Sequence, residues 1–146
     1  MIDFKYFQDI VFALEKALYY ERGRGAYFRS TMVGADFIDR KIVKGDTIEE
    51  IIENCSKIMY EEKMVKNISF KKDETGVLFI FEIENCIHLP IENILKDNGV
   101  PPYICPPINM ILYKLNKMKG LPCEIADINV YEKDKRCRIR VIGGRL

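Results

Sequence analysis

Sulfur and imidazole are the groups best equipped for chemistry in this chain, which has five cysteines and one histidine among 146 residues. Cys86 and His88 stand two apart in "ENCIHL". On an extended strand they would point the same way, roughly 7 Å apart, and could chelate one ion. Cys105 precedes Pro106 and Pro107, and prolines suit a helix's first turn because the N–H groups they lack have no partner there. Cys105 is thus an expected N-cap, where the helix dipole stabilises a thiolate, the form that binds metal or attacks electrophiles. Cys137, which opens the last strand, or Cys123 could complete the set. Cys86, His88, Cys105 and Cys137 are the expected metal ligands, and zinc the expected ion.

Strand alternation works against that set. Cys137 shares a side with Ile139 and Val141, whereas Cys86 and His88 oppose the side carrying Phe79 and Phe81. The two groups meet only at strand ends or across a bulge. No C-x-x-C pair strengthens the zinc signal. The plain alternative is a set of small buried cysteines and a histidine on a polar face.

Other chemistry is sparse, and no catalytic residue is expected. There is no G-x-S-x-G or H-E-x-x-H, no dinucleotide fingerprint, and a Ser/His/Asp triad would have to use His88. "ERGRG" could cradle an anion on backbone N–H groups, but it lacks P-loop spacing and reads better as a helix-to-helix turn with solvated arginines. Glu82 and Glu84 look paired, yet same-face strand carboxylates beside lysines are more often cross-strand ion partners. Phe4, Phe7, Phe12, Phe28 and Phe37 could line an apolar pocket or simply fill a core.

Positioning these groups requires a folded scaffold, and the composition permits one. Apolar residues are 48% and charged residues 31%, with formal net charge +1, which suits one globular domain over residues 1–146. Such balance gives no basic footprint for nucleic acid and no polybasic membrane anchor. No apolar run approaches the ~18 residues of a membrane span. An odd cysteine count without an export signal points to reduced thiols in the cytoplasm. Abundant Ile, Lys and Glu are compatible with a thermophile.

Apolar periodicity predicts a helix over 3–20 through Phe4, Phe7, Val11, Leu14 and Leu18, and a second over 26–43. A third begins after Thr47, with Glu50 completing a capping box. "KNISFKKDETGVLFIFEIENCIHL" predicts two strands joined by a turn. Residues 90–102 read as a loop with one helical turn, followed by a helix over 108–118 that Gly120 stops. "CEIADINVYEK" and "CRIRVI" close the chain as a hairpin. The expected fold class is α+β, an antiparallel four-stranded sheet with helices on one face, in the order αααββαββ.

Three stretches carry a family resemblance. "LYYERGRGAYF" resembles the aromatic, glycine-punctuated helix junction of the 4-vinyl reductase domain family, the predicted hydrocarbon-binding proteins, whose fold is related to a subunit family of the TRAPP tethering complexes. "PPYICPPINMILYKLNKMKGLPCEI" is similar to that family's cysteine-led helix and following strand. "DINVYEKDKRCRIRV" is similar to its closing hairpin. The resemblance implies helices over an antiparallel sheet, small apolar ligands, frequent dimerisation, and cysteine-held metal in some members. Cys105 and Cys137 fall on family cysteine positions. Asn129 stands where a further hairpin cysteine is usual, and Asn109 and Met110 stand where glycine is.

The expected function is therefore a cytoplasmic, non-enzymatic binding domain for a small hydrophobic molecule, homodimeric, with a zinc site, and with neither nucleic acid nor a membrane span. The alternatives are an enzyme or accessory of tetrapyrrole vinyl reduction, which the family name suggests, and a protein–protein assembly module.

Overall fold

The computed structural model describes residues 4–143, with the backbone alone at residues 27 and 28. Helix α1 (Lys5–Arg22) runs without an internal glycine or proline and ends at Gly23, whose positive φ of 57° lets its N–H reach Tyr19 O. A 3-10 turn at Gly23–Gly25 leads into α2 (Ala26–Ser30), so "ERGRG" is a helix junction, with Arg22 and Arg24 exposed.

The single helix expected over 26–43 is two short ones, α2 and α3 (Ala35–Asp39). Gly34 breaks it at φ 99°, and a Cβ there would lie 3.0 Å from Met110 Cγ and 3.2 Å from Pro106 O. The glycine both makes the turn and admits a neighbouring helix at close range. Ile42, expected in the buried stripe, lies beyond α3 and is 85% exposed.

Helix α4 (Ile48–Glu61) begins as its capping residues dictate. Thr47 Oγ1 accepts from Glu50 N at 3.1 Å, while the Glu50 carboxylate accepts from Asp46 N at 2.9 Å. Ile51, Ile52, Cys55 and Met59 form its buried side.

Strands β1 (Asn67–Lys72), β2 (Leu78–Glu84), β3 (Cys123–Tyr131) and β4 (Arg136–Gly143) make one antiparallel sheet in the order β1-β2-β4-β3. Phe79, Phe81, Ile83, Cys137, Ile139 and Val141 occupy the inner face and are buried. On the outer face Glu82 pairs with Arg138 at 2.8 Å and Glu84 with Arg136 at 3.0 Å. These carboxylates are cross-strand ion partners, and it is β4 arginines that they meet.

Residues 90–102 are not simply a loop, since α5 spans Leu89–Asp97. Pro90 marks its first turn, where proline is tolerated, and Asn98 caps its end before Gly99. Helix α6 (Pro106–Lys119) has Cys105 at its N-cap and Gly120 at its C-cap, with φ 62°. The main core lies between the sheet's inner face and α3, α4 and α6. A smaller cluster of Ala26, Ile91, Leu95, Val100, Tyr103 and Ile104 packs against Phe12, Leu18 and Tyr19 of α1. Among the described residues no helix is long and apolar enough to cross a membrane.

Helix α1 turns its expected buried stripe outward except at Leu18, which packs against the smaller cluster. Phe4 is 75% exposed and Leu14 66%, with Phe7 and Val11 exposed beside them. The side that packs carries Phe12, Glu15, Leu18 and Tyr19.

Candidate functional site

The strand that leads to Cys86 stops one residue earlier than alternation requires. Asn85 adopts φ 47° and its N–H donates to Lys135 O at 2.9 Å. Ile87 N–H then donates to Met64 O at 2.8 Å. The chain leaves the sheet at this point, so the parity that would send Cys86 to the solvent face no longer applies. Cys86 is buried, and its Sγ accepts from His88 N–H at 3.4 Å.

Cys137 pairs with Ile83 across the sheet and points inward. Cys105, at the N-cap of α6, is buried as well. Together with His88 and Glu92, these three thiols line one small void of about 10 Å³, closed by Ile83, Leu89 and Ile128. That is the room of one water-sized sphere. As they stand, no three His, Cys, Asp or Glu side chains among the described residues are spaced to hold an ion. Cys123 lies elsewhere: it pairs with Gly143, at the opposite end of β4 from Cys137.

Burial decides the protonation of the thiols. It pushes Cys86 up to about 11 and Cys137 up to about 12. Cys105 is driven well above the usual thiol range by burial, and further by the charges that Cys86 and Cys137 would carry. The helix dipole was expected to favour a Cys105 thiolate; desolvation outweighs it in the absence of a cation.

His88 has both ring nitrogens engaged. Nε2 lies 2.8 and 2.9 Å from the two Glu15 oxygens, and Nδ1 lies 3.0 Å from Glu92 Oε1. All three side chains are buried. Burial alone would lower the imidazole's pKa, but the two carboxylates prevail and raise it to about 9. At neutral pH the ring is a cation that donates to both glutamates, and neither nitrogen is free to receive a proton from a serine. The Glu92 carboxyl is raised by burial, which outweighs the imidazolium beside it. Its Oε2 is buried without a hydrogen-bond partner. Glu15 is fixed in turn at its backbone, where its carbonyl accepts from Tyr103 OH.

Glu15 and Glu92 escaped the sequence reading. For Glu92 a signal existed, because it follows His88 by one helical turn once α5 is recognised. For Glu15 there was none beyond an acidic residue flanked by the helix's apolar positions.

A second cavity, about 390 Å³ and open on one side, lies between α2, α6 and the start of β3. Leu112, Ile125 and Pro122 supply apolar walls, and Thr31, Tyr103 and Asn116 polar ones. Asn109 shapes it from α6: its amide donates to Ser30 O at 2.9 Å and Val33 O at 3.2 Å, fastening α2 and the following turn. Of the phenylalanine side chains that could line a pocket or fill a core, none among the described ones lines this cavity. Phe12 and Phe37 pack against the two cores, Phe4 and Phe7 are exposed, and Phe28 lies outside the described side chains.

No family model matches the chain, and none of the curated proteins does. Among solved structures the chain is similar to the phenol-responsive sensory domain of the transcription activator PoxR, determined with phenol. The identity is 17%, the match covers 92% of this chain and 73% of that one, and the TM-score is 0.53. This likeness defines the fold class, a small α+β domain of the architecture that PoxR uses as a sensory domain.

Proposed function

We propose that the chain is a cytoplasmic, non-enzymatic domain that binds a small hydrophobic molecule in the cavity between α2, α6 and β3. The observation that carries this reading is the cavity itself. Its volume of about 390 Å³ falls within the roughly 300–1,000 Å³ of small-molecule sites. Its lining also mixes the two kinds of group such sites use, apolar walls from Leu112, Pro122 and Ile125 with hydroxyl and amide groups and the acidic Glu124 at the polar positions. The fold's use in PoxR, whose sensory domain is phenol-responsive, supports the same ligand class. Kinship with the 4-vinyl reductase domain family is part of the proposal, supported by Cys105 at a helix N-cap and Cys137 early in the final strand.

The thiol corner is proposed as a zinc site. What supports it is residue type: three thiols and Glu92, whose Oε2 has no hydrogen-bond partner, line one single-sphere void, and zinc prefers sulfur, although these side chains would have to move closer together to hold an ion. Bound there, zinc would tie the exit of β2, the start of α6 and β4 together, adding stability that the unfolded chain lacks.

Titration of the metal-free and zinc-loaded chain with phenol, cresols and short alkyl alcohols, followed by NMR, tests ligand binding. Saturable one-to-one binding is expected, and Leu112→Trp, which fills the cavity, should abolish it while the fold persists. Absence of saturable binding by any of these compounds, or equal binding by the variant, would reject the cavity as the site.

An assembly role is favoured by one observation, the outward apolar stripe of α1. Soluble monomers seldom leave such a patch uncovered. We assign it to homodimerisation, which is compatible with ligand binding because the exposed residues of the stripe do not line the cavity.

A further inference from the structure

The cavity between α2, α6 and β3 has a buried end and an exposed mouth. Of its lining residues, Ser30, Tyr103 and Asn109 are buried, whereas Thr31, Asn116 and Glu124 are exposed. We infer, on the strength of the cavity reading, that its ligand is an uncharged molecule carrying an O–H or N–H group on an apolar body, and that Asn109 Oδ1 at the buried end accepts this hydrogen.

The buried side chains have committed their hydrogens to backbone carbonyls. Ser30 Oγ donates to Tyr103 O at 3.2 Å, and Tyr103 OH donates to Glu15 O. Asn109 Nδ2 has two hydrogens and two carbonyls to receive them, Ser30 O at 2.9 Å and Val33 O at 3.2 Å. Those carbonyls also fix which way the amide points, because a flipped side chain would set its oxygen against both. What remains is Oδ1. No described group donates to it, and it is not sealed in as Glu92 Oε2 and Asn93 Oδ1 are. Since Asn109 is only 4% exposed, the cavity it lines is the way to that oxygen. A buried acceptor without a donor is a defect that a ligand hydrogen would repair.

The remaining walls decide what carries the hydrogen. Asn109, Leu112 and Asn116 recur at helical spacing on one face of α6, so a buried amide leads through apolar surface to an exposed amide at the mouth. Pro122 and Ile125 extend the apolar surface. A ligand thus lies with its polar group at Asn109 and its body along Leu112, Pro122 and Ile125. Charge narrows the class further. A carboxylate would bring lone pairs to Oδ1 and would have to pass the exposed Glu124. An ammonium could donate, but it would be desolvated against one neutral oxygen. Phenols, alcohols, arylamines and secondary amides satisfy both conditions. Ethers, esters and ketones set one acceptor against another and leave Oδ1 unpaired.

The test is an NMR titration of the untagged chain with compounds of matched size. p-Cresol and anisole are isomers that differ in whether the oxygen carries a hydrogen, p-toluidine replaces O–H by N–H, and p-toluate replaces it by a carboxylate. p-Cresol and p-toluidine should bind, anisole should bind about 10-fold more weakly than p-cresol or worse, and p-toluate should not bind. The side-chain carbonyl carbon signal of Asn109 should move with p-cresol and stay in place at equal occupancy by anisole. Asn109→Leu, which removes the acceptor, should bring p-cresol and anisole within about 2-fold of each other. Anisole within about 2-fold of p-cresol on the wild type, p-toluate binding as tightly as p-cresol, or an Asn109 carbonyl signal indifferent to p-cresol would overturn the assignment while leaving the cavity reading intact. No saturable binding by any of the three neutral compounds would remove both. The isomer comparison and the carbonyl signal need no substitution, so they decide the matter even if Asn109→Leu, deprived of its ties to Ser30 and Val33, fails to fold.

Discussion

The buried array of Glu15, His88 and Glu92 makes the stability of the metal-free chain depend on pH in a particular direction. His88 titrates at about 9 in the folded chain against an ordinary value of 6.5. A raised imidazole pKa means that the folded state holds the proton more tightly than the unfolded state does. The contribution is therefore fully present below pH 6.5 and is lost as pH climbs through about 9. At about 1.4 kcal/mol per unit, a shift of this size corresponds to about 3 kcal/mol. That is a large share of the 5–15 kcal/mol typical of a domain. The Glu92 carboxyl, also raised, acts in the same sense, losing its contribution as pH rises above the ordinary carboxylate range. Urea unfolding of the chelator-treated chain at intervals from pH 6 to pH 10 measures the effect. The midpoint should fall steeply above pH 7, whereas His88→Gln should start lower and change much less up to about pH 8.5, the ordinary thiol value, above which the buried thiols of Cys86, Cys105 and Cys137 destabilise both chains. A wild-type midpoint that stays level or rises between pH 7 and pH 9.5 would refute the charged array.

Gly34→Ala should destabilise the chain by about 2 kcal/mol or more, because φ 99° is strained for any side chain and a Cβ would press on the Pro106 carbonyl; a thermal melt within a degree of wild type would contradict this. Replacing Phe7 and Leu14 of α1 together by lysine should leave unfolding of the monomer within about 0.5 kcal/mol and shift sedimentation from dimer to monomer. An unaltered dimer would place the interface elsewhere. Thr47→Ala removes the acceptor for Glu50 N and should cost about 1 kcal/mol, read from the same urea series.

Elements governed by local rules were legible in the sequence. The Thr47–Glu50 box, the turn within "KDETG", the strict alternation of "CRIRVI" and the cysteine–proline start of α6 each place a residue type where backbone chemistry wants it, and each stands where expected. Residues 90–102 were misread because Pro90 punctuates loops and opens helices alike, and only packing of Ile91 and Leu95 into the smaller core distinguishes the two. The orientation of Cys86 was lost to a single positive φ at Asn85, which ends the alternation just before the residue that mattered. For α1, the longest apolar stripe faces outward. Periodicity reports that a stripe exists, and a monomer's contacts or a partner's decide what it covers.

The thiol corner was legible by residue type and not by pairing. Cys86, His88, Cys105 and Cys137 do line one void. The partners that tie up the imidazole come from α1, 73 positions away, and from one turn along an unrecognised helix. Long-range ion pairs of this sort have no local signature. The same connection links the two cavities, since Tyr103 lines the larger one and its hydroxyl holds the Glu15 carbonyl.

Native mass spectrometry of the protein taken directly from cells, untagged and never exposed to chelator, tests most directly whether this fold carries a small molecule. The expected spectrum is a dimer whose mass exceeds twice the denatured chain by an organic ligand and one zinc ion per protomer, with the organic component absent from Leu112→Trp. A native mass equal to that of the bare polypeptide, unchanged after addition of phenol and its alkyl analogues, would contradict the proposal.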